Sequence, residues 1–199
     1  MALFTGKGDD GKTSFLGDKT RYGKDSLRAE ALGSLDEVNS HIGLFKAKSR
    51  QEHFQFNIRH SHILKNVRMS KTEQVVSIHE ILGEIQQNLF IVQAELAGSD
   101  KFITKEKVDV LSELINFIET QMPPIKTFFV PGATELSAQF DIARTVARRA
   151  ERAVIRAKGE RALSEWSQAY LNRLSSILYA LARLSAHQSG TEEEKPTYQ

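Results

Sequence analysis

Apolar residues recur at alternating steps of three and four along most of the chain, the period of a helix with one buried face. Leu136, Phe140, Ala143, Ala147, Ala150, Val154 and Ala157 predict one such helix. Val75, Ile78, Leu82, Ile85, Leu89, Val92 and Leu96 keep a strict heptad, predicting a helix over about 73–98 that packs side by side with another and ends at Gly98. Thr104 is a candidate cap for a shorter helix through Val108, Leu111, Ile115 and Ile118, stopping at Pro123-Pro124. Asp25 or Ser26 can cap a helix running to about Arg50, with Leu27, Ala31, Leu35, Val38, Ile42 and Phe45 inward. A last helix runs from about Leu163 to His187 and turns Leu163, Tyr170, Leu174, Ile177, Leu181 and Leu184 inward. No convincing strand pattern is present, so the expected class is all-α: an up-and-down bundle of about five helices with left-handed packing.

Two stretches break the pattern. Residues 51–72 are polar and basic and hold His53, His60 and His62, which reads as an insertion or mobile linker; a metal site there would need a further ligand. Ser189-Gly190 and the run Glu192-Glu193-Glu194 read as a frayed end, so residues 1–190 form one domain and 191–199 a disordered tail.

Composition narrows the chemistry. The 199 residues are 40% hydrophobic, enough for a real core, and the formal net charge is only +2, too balanced to imply nucleic acid by itself. The absence of cysteine removes disulfides, thiolate metal sites and cysteine nucleophiles together. No apolar run approaches the roughly 20 residues of a membrane span, and the first residues resemble neither a signal core nor a presequence, so a cytoplasmic location is expected.

Two charged features remain. Arg144, Arg148 and Glu151 form a stripe beside the apolar face of the 136–157 helix, with Arg149, Arg152 and Arg156 further outward. A solvated basic face with a helical Arg148–Glu151 pair is the plain reading; an anion site is the sharper one, because guanidinium presents a fixed fork of donors to carboxylate or phosphate. Near the start, Thr5-Gly6-Lys7-Gly8-Asp9-Asp10-Gly11-Lys12-Thr13-Ser14 satisfies the spacing of a phosphate-binding P-loop but lacks the strand before it and the helix opening directly after it. Its glycines still expose backbone N–H groups, and Lys7, Lys12, Thr13 and Ser14 add donors.

Taken with Gly33-Ser34-Leu35-Asp36-Glu37-Val38-Asn39-Ser40, Arg144 to Arg152 and Asn172-Arg173-Leu174-Ser175, that opening loop resembles the ATP:cob(I)alamin adenosyltransferases of the propanediol-utilisation type. The match covers nearly the whole chain outside 51–72 and the tail. It implies a five-helix bundle of the ferritin-like kind, assembled as a homotrimer, with ATP and corrinoid at subunit interfaces. The implied reaction is attack by Co(I) of a reduced corrinoid on the 5′ carbon of ATP, giving adenosylcobalamin and triphosphate.

By that resemblance Thr5, Gly6, Lys7, Gly8, Thr13, Ser14 and Lys24 hold phosphates, and Arg148, Arg149, Ala150, Glu151, Arg152 and Asn172 fix ATP. Mg²⁺ is held mainly through ATP phosphates rather than by protein side chains. Asp36 pairs with Arg144 under the corrin, and Phe128, in Phe128-Phe129-Val130-Pro131-Gly132, fills the lower axial side of cobalt. Arg148, Phe128, Asp36 and Arg144 are then the catalytic set. Cobalt is the nucleophile, so the protein's main contribution is donors aimed at the departing triphosphate. A corrinoid reductase and an adenosylcobalamin-dependent acceptor enzyme are the implied partners; no membrane or nucleic acid is. Ser176 and Ala133 depart from the family's frequent Asp and Gly. The alternative is a non-catalytic helical module that binds anions or nucleic acid, whose affinity would fall steeply with salt.

Overall fold

The structure, a computed structural model, describes residues 4–49, 55–57 and 75–198. These form five helices: α1 (Leu27–Ser49), α2 (Ile78–Leu96), α3 (Lys105–Glu119), α4 (Glu135–Arg156) and α5 (Glu165–Gln188), with a 3₁₀ turn at Ala157–Gly159. Helix α1 packs against α2 and α4, α4 against α5, and α5 against α3. Side chains close the bundle on its remaining side: Asn88 of α2 donates to the Tyr170 hydroxyl of α5 at 3.2 Å, and Lys107 of α3 donates to Asn88 at 2.6 Å. Burial pushes the Tyr170 phenol well above its ordinary pKa.

The apolar faces are largely the expected ones. Every inward residue named for α4 and α5 is buried, as are Ile78 to Leu96 of the heptad in α2. Leu27 is the exception, 44% exposed in the first turn of α1. That helix end is stabilised differently: Ser26 Oγ accepts from Ala29 N, and the Glu160 carboxylate, arriving from beyond α4, accepts from the Leu27 and Arg28 amides.

Helix boundaries follow local chemistry. Helix α2 starts at Ile78 rather than near residue 73, because Ser77 and Glu80 make a capping box there. It ends in a Schellman arrangement, with Gly98 N bonded to Glu95 O and Ser99 N to Ala94 O and Gly98 at φ +110°. Helix α3 stops at Glu119, before the prolines, and Thr104 occupies its N-cap without a side-chain cap bond. Thr134 and Ser137 cap α4 reciprocally.

Two short antiparallel ribbons correct the expectation of no strands. β1 (Lys12–Thr13) pairs with β2 (Tyr22–Gly23), and β3 (Gln55–Asn57) with β4 (Val75–Ser77). The second ribbon brings the two ends of the polar insertion together; His53, His60 and His62 lie outside the described residues. The tail also departs from expectation. It has no regular secondary structure, yet Val130 N donates to Glu194 O at 2.8 Å and Glu193 pairs with buried Arg183.

Candidate active site

A cavity of about 1000 Å³ opens between the end of α3, the 122–131 connection, α4 and α5. Its apolar wall includes Ile115, Met122, Phe128, Phe129 and Pro131; its polar wall carries Asp141, Arg144, Arg148 and Tyr179. Phe128 hangs at the rim, 74% exposed. An apolar slot this size, rimmed by guanidiniums on one side, suits a large flat ligand with polar edges.

Behind the polar wall lies a buried hub. Arg183, 2% exposed, pairs with Asp141 on α4 and Glu193 in the tail, and its guanidinium lies over the rings of Tyr179 at 5.1 Å and Phe129 at 5.6 Å. Asp141 also accepts from Arg144 Nε at 3.0 Å. Such a cluster is tolerated inside a protein only because each charge meets an opposite one. Burial pushes the Tyr179 and Glu193 pKa values up, while Arg183 pulls both back.

The outer flank of α4 behaves differently. Arg149 pairs with Glu37 of α1 at 2.5 Å. Glu151 accepts from Asn172 of α5 at 3.2 Å, so these two expected nucleotide residues meet across a helix boundary. Among the described residues, Arg148 and Arg152 have no hydrogen-bond or ion-pair partner, and the helical Arg148–Glu151 pair does not form. Ala150 is buried and supplies packing from its side chain.

The opening loop is a separate structure. Asp10 takes both Arg21 Nη atoms, at 2.8 and 2.9 Å, and Arg21 Nη2 also donates to the carbonyls of Lys7 and Lys12. Burial works against it, but the Lys12 N–H and Arg21 hold the Asp10 carboxyl below the usual carboxylate range. The ammonium groups of Lys7, Lys12 and Lys24 make no ion pair among the described residues. Gly6 and Gly11 have positive φ, which gives the loop its tight turns. No helix opens at Thr13; α1 begins only at Leu27, so this is not a Walker fold. Thr13, Ser14 and Lys24 also line a smaller recess of about 360 Å³ against α1 and Ala97.

The structure thus brings Phe128, Arg144 and Arg148 to one cavity, and Glu151 to Asn172. It does not bring Asp36 to Arg144 within one chain: Arg144 is held by Asp141, and Asp36 is exposed without a partner among the described residues. Nor does any described hydrogen bond or ion pair join the loop to the arginines of α4. Sequence reading missed Asp141, Tyr179 and Arg183. The spacing of Asp141 and Arg144 signals a helical pair, but Arg183 carries no such local sign.

Among the described residues, no three His, Cys, Asp or Glu side chains converge as metal ligands. No helix among them is long and apolar enough to cross a membrane.

Comparison with known proteins gives this arrangement its relatives. Residues 3–185 match the family model described as cobalamin adenosyltransferase. The chain is 35% identical over 191 residues to the corrinoid adenosyltransferase of Bacillus subtilis, covering 96% of this chain and 89% of that protein. It is 32% identical over 189 residues to the corrinoid adenosyltransferase of Citrobacter freundii, with 92% and 93% covered. A variant PduO-type ATP:corrinoid adenosyltransferase from Lactobacillus reuteri, solved with cobalamin and ATP, superposes with a TM-score of 0.78 at 28% identity over 98% of this chain and 99% of that one. A helical bundle with an apolar cavity, a free arginine flank and a glycine-rich loop, matched along its length, belongs to the cobalamin adenosyltransferase family.

Proposed function

We propose that the reaction of this family is carried out here by a corrinoid seated in the α3–α4–α5 cavity and an ATP held between the arginine flank of α4 and the glycine-rich loop. The chain is a corrinoid adenosyltransferase: it moves the 5′-deoxyadenosyl group of ATP onto the cobalt of a reduced corrinoid and releases triphosphate. The observation that carries the assignment of roles is the shared lining of one cavity by Phe128, Arg144 and the unpartnered Arg148.

Each part contributes a physical effect. Phe128 presents an apolar ring where a polar ligand would otherwise approach the cobalt from below, which favours the lower-coordinate, more easily reduced metal centre. Arg144, steadied by Asp141, supplies positive charge at the corrin edge. Arg148 and Arg152 are free to donate to phosphate oxygens, and Glu151 with Asn172 offers a paired acceptor and donor for the nucleoside. Lys7, Lys24, Thr13, Ser14 and the exposed amides of Thr5, Gly6 and Gly8 receive the rest of the triphosphate, where charge builds as the carbon–oxygen bond breaks. Mg²⁺ bound to the phosphates would add to that neutralisation.

The loop and the α4 flank are not joined by a described contact within one chain, and Asp36 is left without its expected arginine. A homotrimer resolves both, with the loop and Asp36 of one copy meeting the cavity and arginines of its neighbour. A corrinoid reductase upstream and an acceptor enzyme downstream complete the reading.

The test is direct. Purified protein given ATP, Mg²⁺ and chemically reduced cobalamin should develop the absorption spectrum of the adenosylated product. Binding of nucleic acid that weakens with salt, and no such spectrum, would favour the non-catalytic alternative.

A further inference from the structure

The hydrogen bonds of the glycine-rich loop described above are internal to it; its exit is where it meets the bundle. Its exit is fastened at one point. Phe15, 8% exposed, lies beneath the guanidinium of Arg28, whose carbon sits 3.9 Å from the ring centroid. Arg28 is itself buried, and its Nε donates to the carbonyl of Leu96 at the end of α2 at 2.8 Å. Leu16 N donates to the adjacent carbonyl of Ala97 at 2.9 Å. The Tyr22 ring of β2 meets Phe15 at a tilt, with centroids 5.0 Å apart, and its hydroxyl donates to Asp18.

The fit has no slack at Gly98. Its φ of +110° is unfavourable for any side chain, and a Cβ there would come within 2.7 Å of Leu16 O and 3.2 Å of Arg28 Nη2. Three separate segments, the loop exit, the start of α1 and the end of α2, therefore converge on one buried guanidinium that is far in sequence from the arginine flank.

Resting on the assignment of the loop to triphosphate, we propose that Arg28 is a positioning residue for the nucleotide: it fastens the loop's exit, through Phe15, to the carbonyl end of α2. The residue touches no ligand. It acts by pre-paying the ordering of the loop, which would otherwise be charged against ATP binding. A guanidinium suits the task because one planar group both donates to a helix-terminal carbonyl and covers an aromatic face.

The experiment is calorimetric titration of MgATP into wild type, Arg28→Ala, Phe15→Leu and Gly98→Ala, alongside steady-state kinetics in ATP and in corrinoid. Arg28→Ala and Gly98→Ala should each weaken ATP binding about tenfold. Phe15→Leu, which keeps an apolar plug but loses the stacked face, should fall between them and wild type. The KM for corrinoid should not move, and cleavage of residues 5–24 by a protease should become faster. Unaltered ATP affinity in soluble Arg28→Ala, or in Gly98→Ala where Arg28→Ala fails to fold, would overturn the proposal. So would a parallel loss of ATP and corrinoid affinity, which marks a merely structural residue. Failure of wild type itself to bind MgATP would instead overturn the assignment of the loop.

Discussion

The cavity and the loop are built on opposite terms. Behind the cavity's polar wall, charge is paired and largely buried: Arg183 with Asp141 and Glu193, and Arg144 with Asp141, with the Tyr179 ring near the Arg183 guanidinium, while Arg148 at the opening stays unpaired among the described residues. In the loop, the ion pair Arg21–Asp10 is exposed, two-residue strands provide the regular pairing, and Lys7, Lys12 and Lys24 make no ion pair among the described residues. A buried ion cluster fixes geometry because breaking it leaves an uncompensated charge in a poor solvent, whereas an exposed pair is worth about 0–1 kcal/mol and can be rearranged. The contrast suits the two ligands. A rigid macrocycle wants a preformed slot, and a flexible polyanion can be wrapped by a loop whose cations are still unspent.

Substitutions should separate the two halves by the kind of damage they do. The largest effect belongs to Arg183→Ala. It leaves Glu193 without its cation and Asp141 with Arg144 alone, and should cost about 3 kcal/mol, read as a fall in Tm of about 10 °C for a chain of this size. An equal loss from Arg148→Ala would erase the distinction between a committed and a free arginine.

Next comes Arg148→Ala itself. It breaks no hydrogen bond or ion pair among the described residues, so unfolding should stay within about 0.5 kcal/mol of wild type, while kcat/KM for ATP falls about a hundredfold through lost charge stabilisation. Phe128→Ala should follow. It should leave ATP affinity in place and cut turnover on Co(II) corrinoid by about tenfold or more; unchanged turnover would remove Phe128 from the mechanism. The Arg28→Ala effect on ATP affinity, about tenfold, is of similar size but falls on binding instead.

The smallest effect is one of pH. Asp18, held down first by the Tyr22 hydroxyl and then by the Thr20 amide, and Asp10, held down by the Lys12 amide and Arg21 against the pull of burial, both lie below their ordinary value of 3.8. The unfolded loop therefore binds more protons than the folded one in this window. Their stabilisation is complete above about pH 4 and is lost as pH falls through the lowered values. Protection of amides in residues 5–24, taken relative to the intrinsic exchange rate at each pH, should fall on acidification below about pH 4, with the heptad of α2 unaffected. Parallel changes in both regions would mean the loop has no titration of its own.

Much of this architecture is legible in the sequence, because helix faces repeat every three to four residues and the repeats here run for several turns. The start of α1, the Gly98 terminus and the buried faces of α2, α4 and α5 follow from that period and from capping chemistry. What escapes it has specific causes. Two- and three-residue strands are too short to show alternation, so both ribbons are missed. The Ser77–Glu80 box overrides the apolar heptad at Val75, which becomes strand instead of helix. Leu27 reads as core by spacing but is the first residue of α1, where Glu160 from another element claims the helix end.

The site divides the same way. Phe128 and the arginine stripe stand out as residue types in unusual places, whereas Arg183 looks like one more charge on a terminal helix. Its burial depends on Asp141 and Glu193, which lie 42 and 10 residues away in the chain and meet it only after folding. The tail was expected to fray for that same reason: three glutamates in a row carry no sign that one of them has an interior partner.

The central claim is that the nucleotide site is shared, with the loop of one copy closing on the arginine flank of another. Co-expressing an Arg148→Ala chain with a Lys7→Ala/Lys24→Ala chain, each inactive alone, measures this directly. Random assembly into trimers should restore about a quarter of the sites, since that fraction pairs an intact loop with an intact arginine. Mixed assemblies with no more activity than either parent would contradict the account.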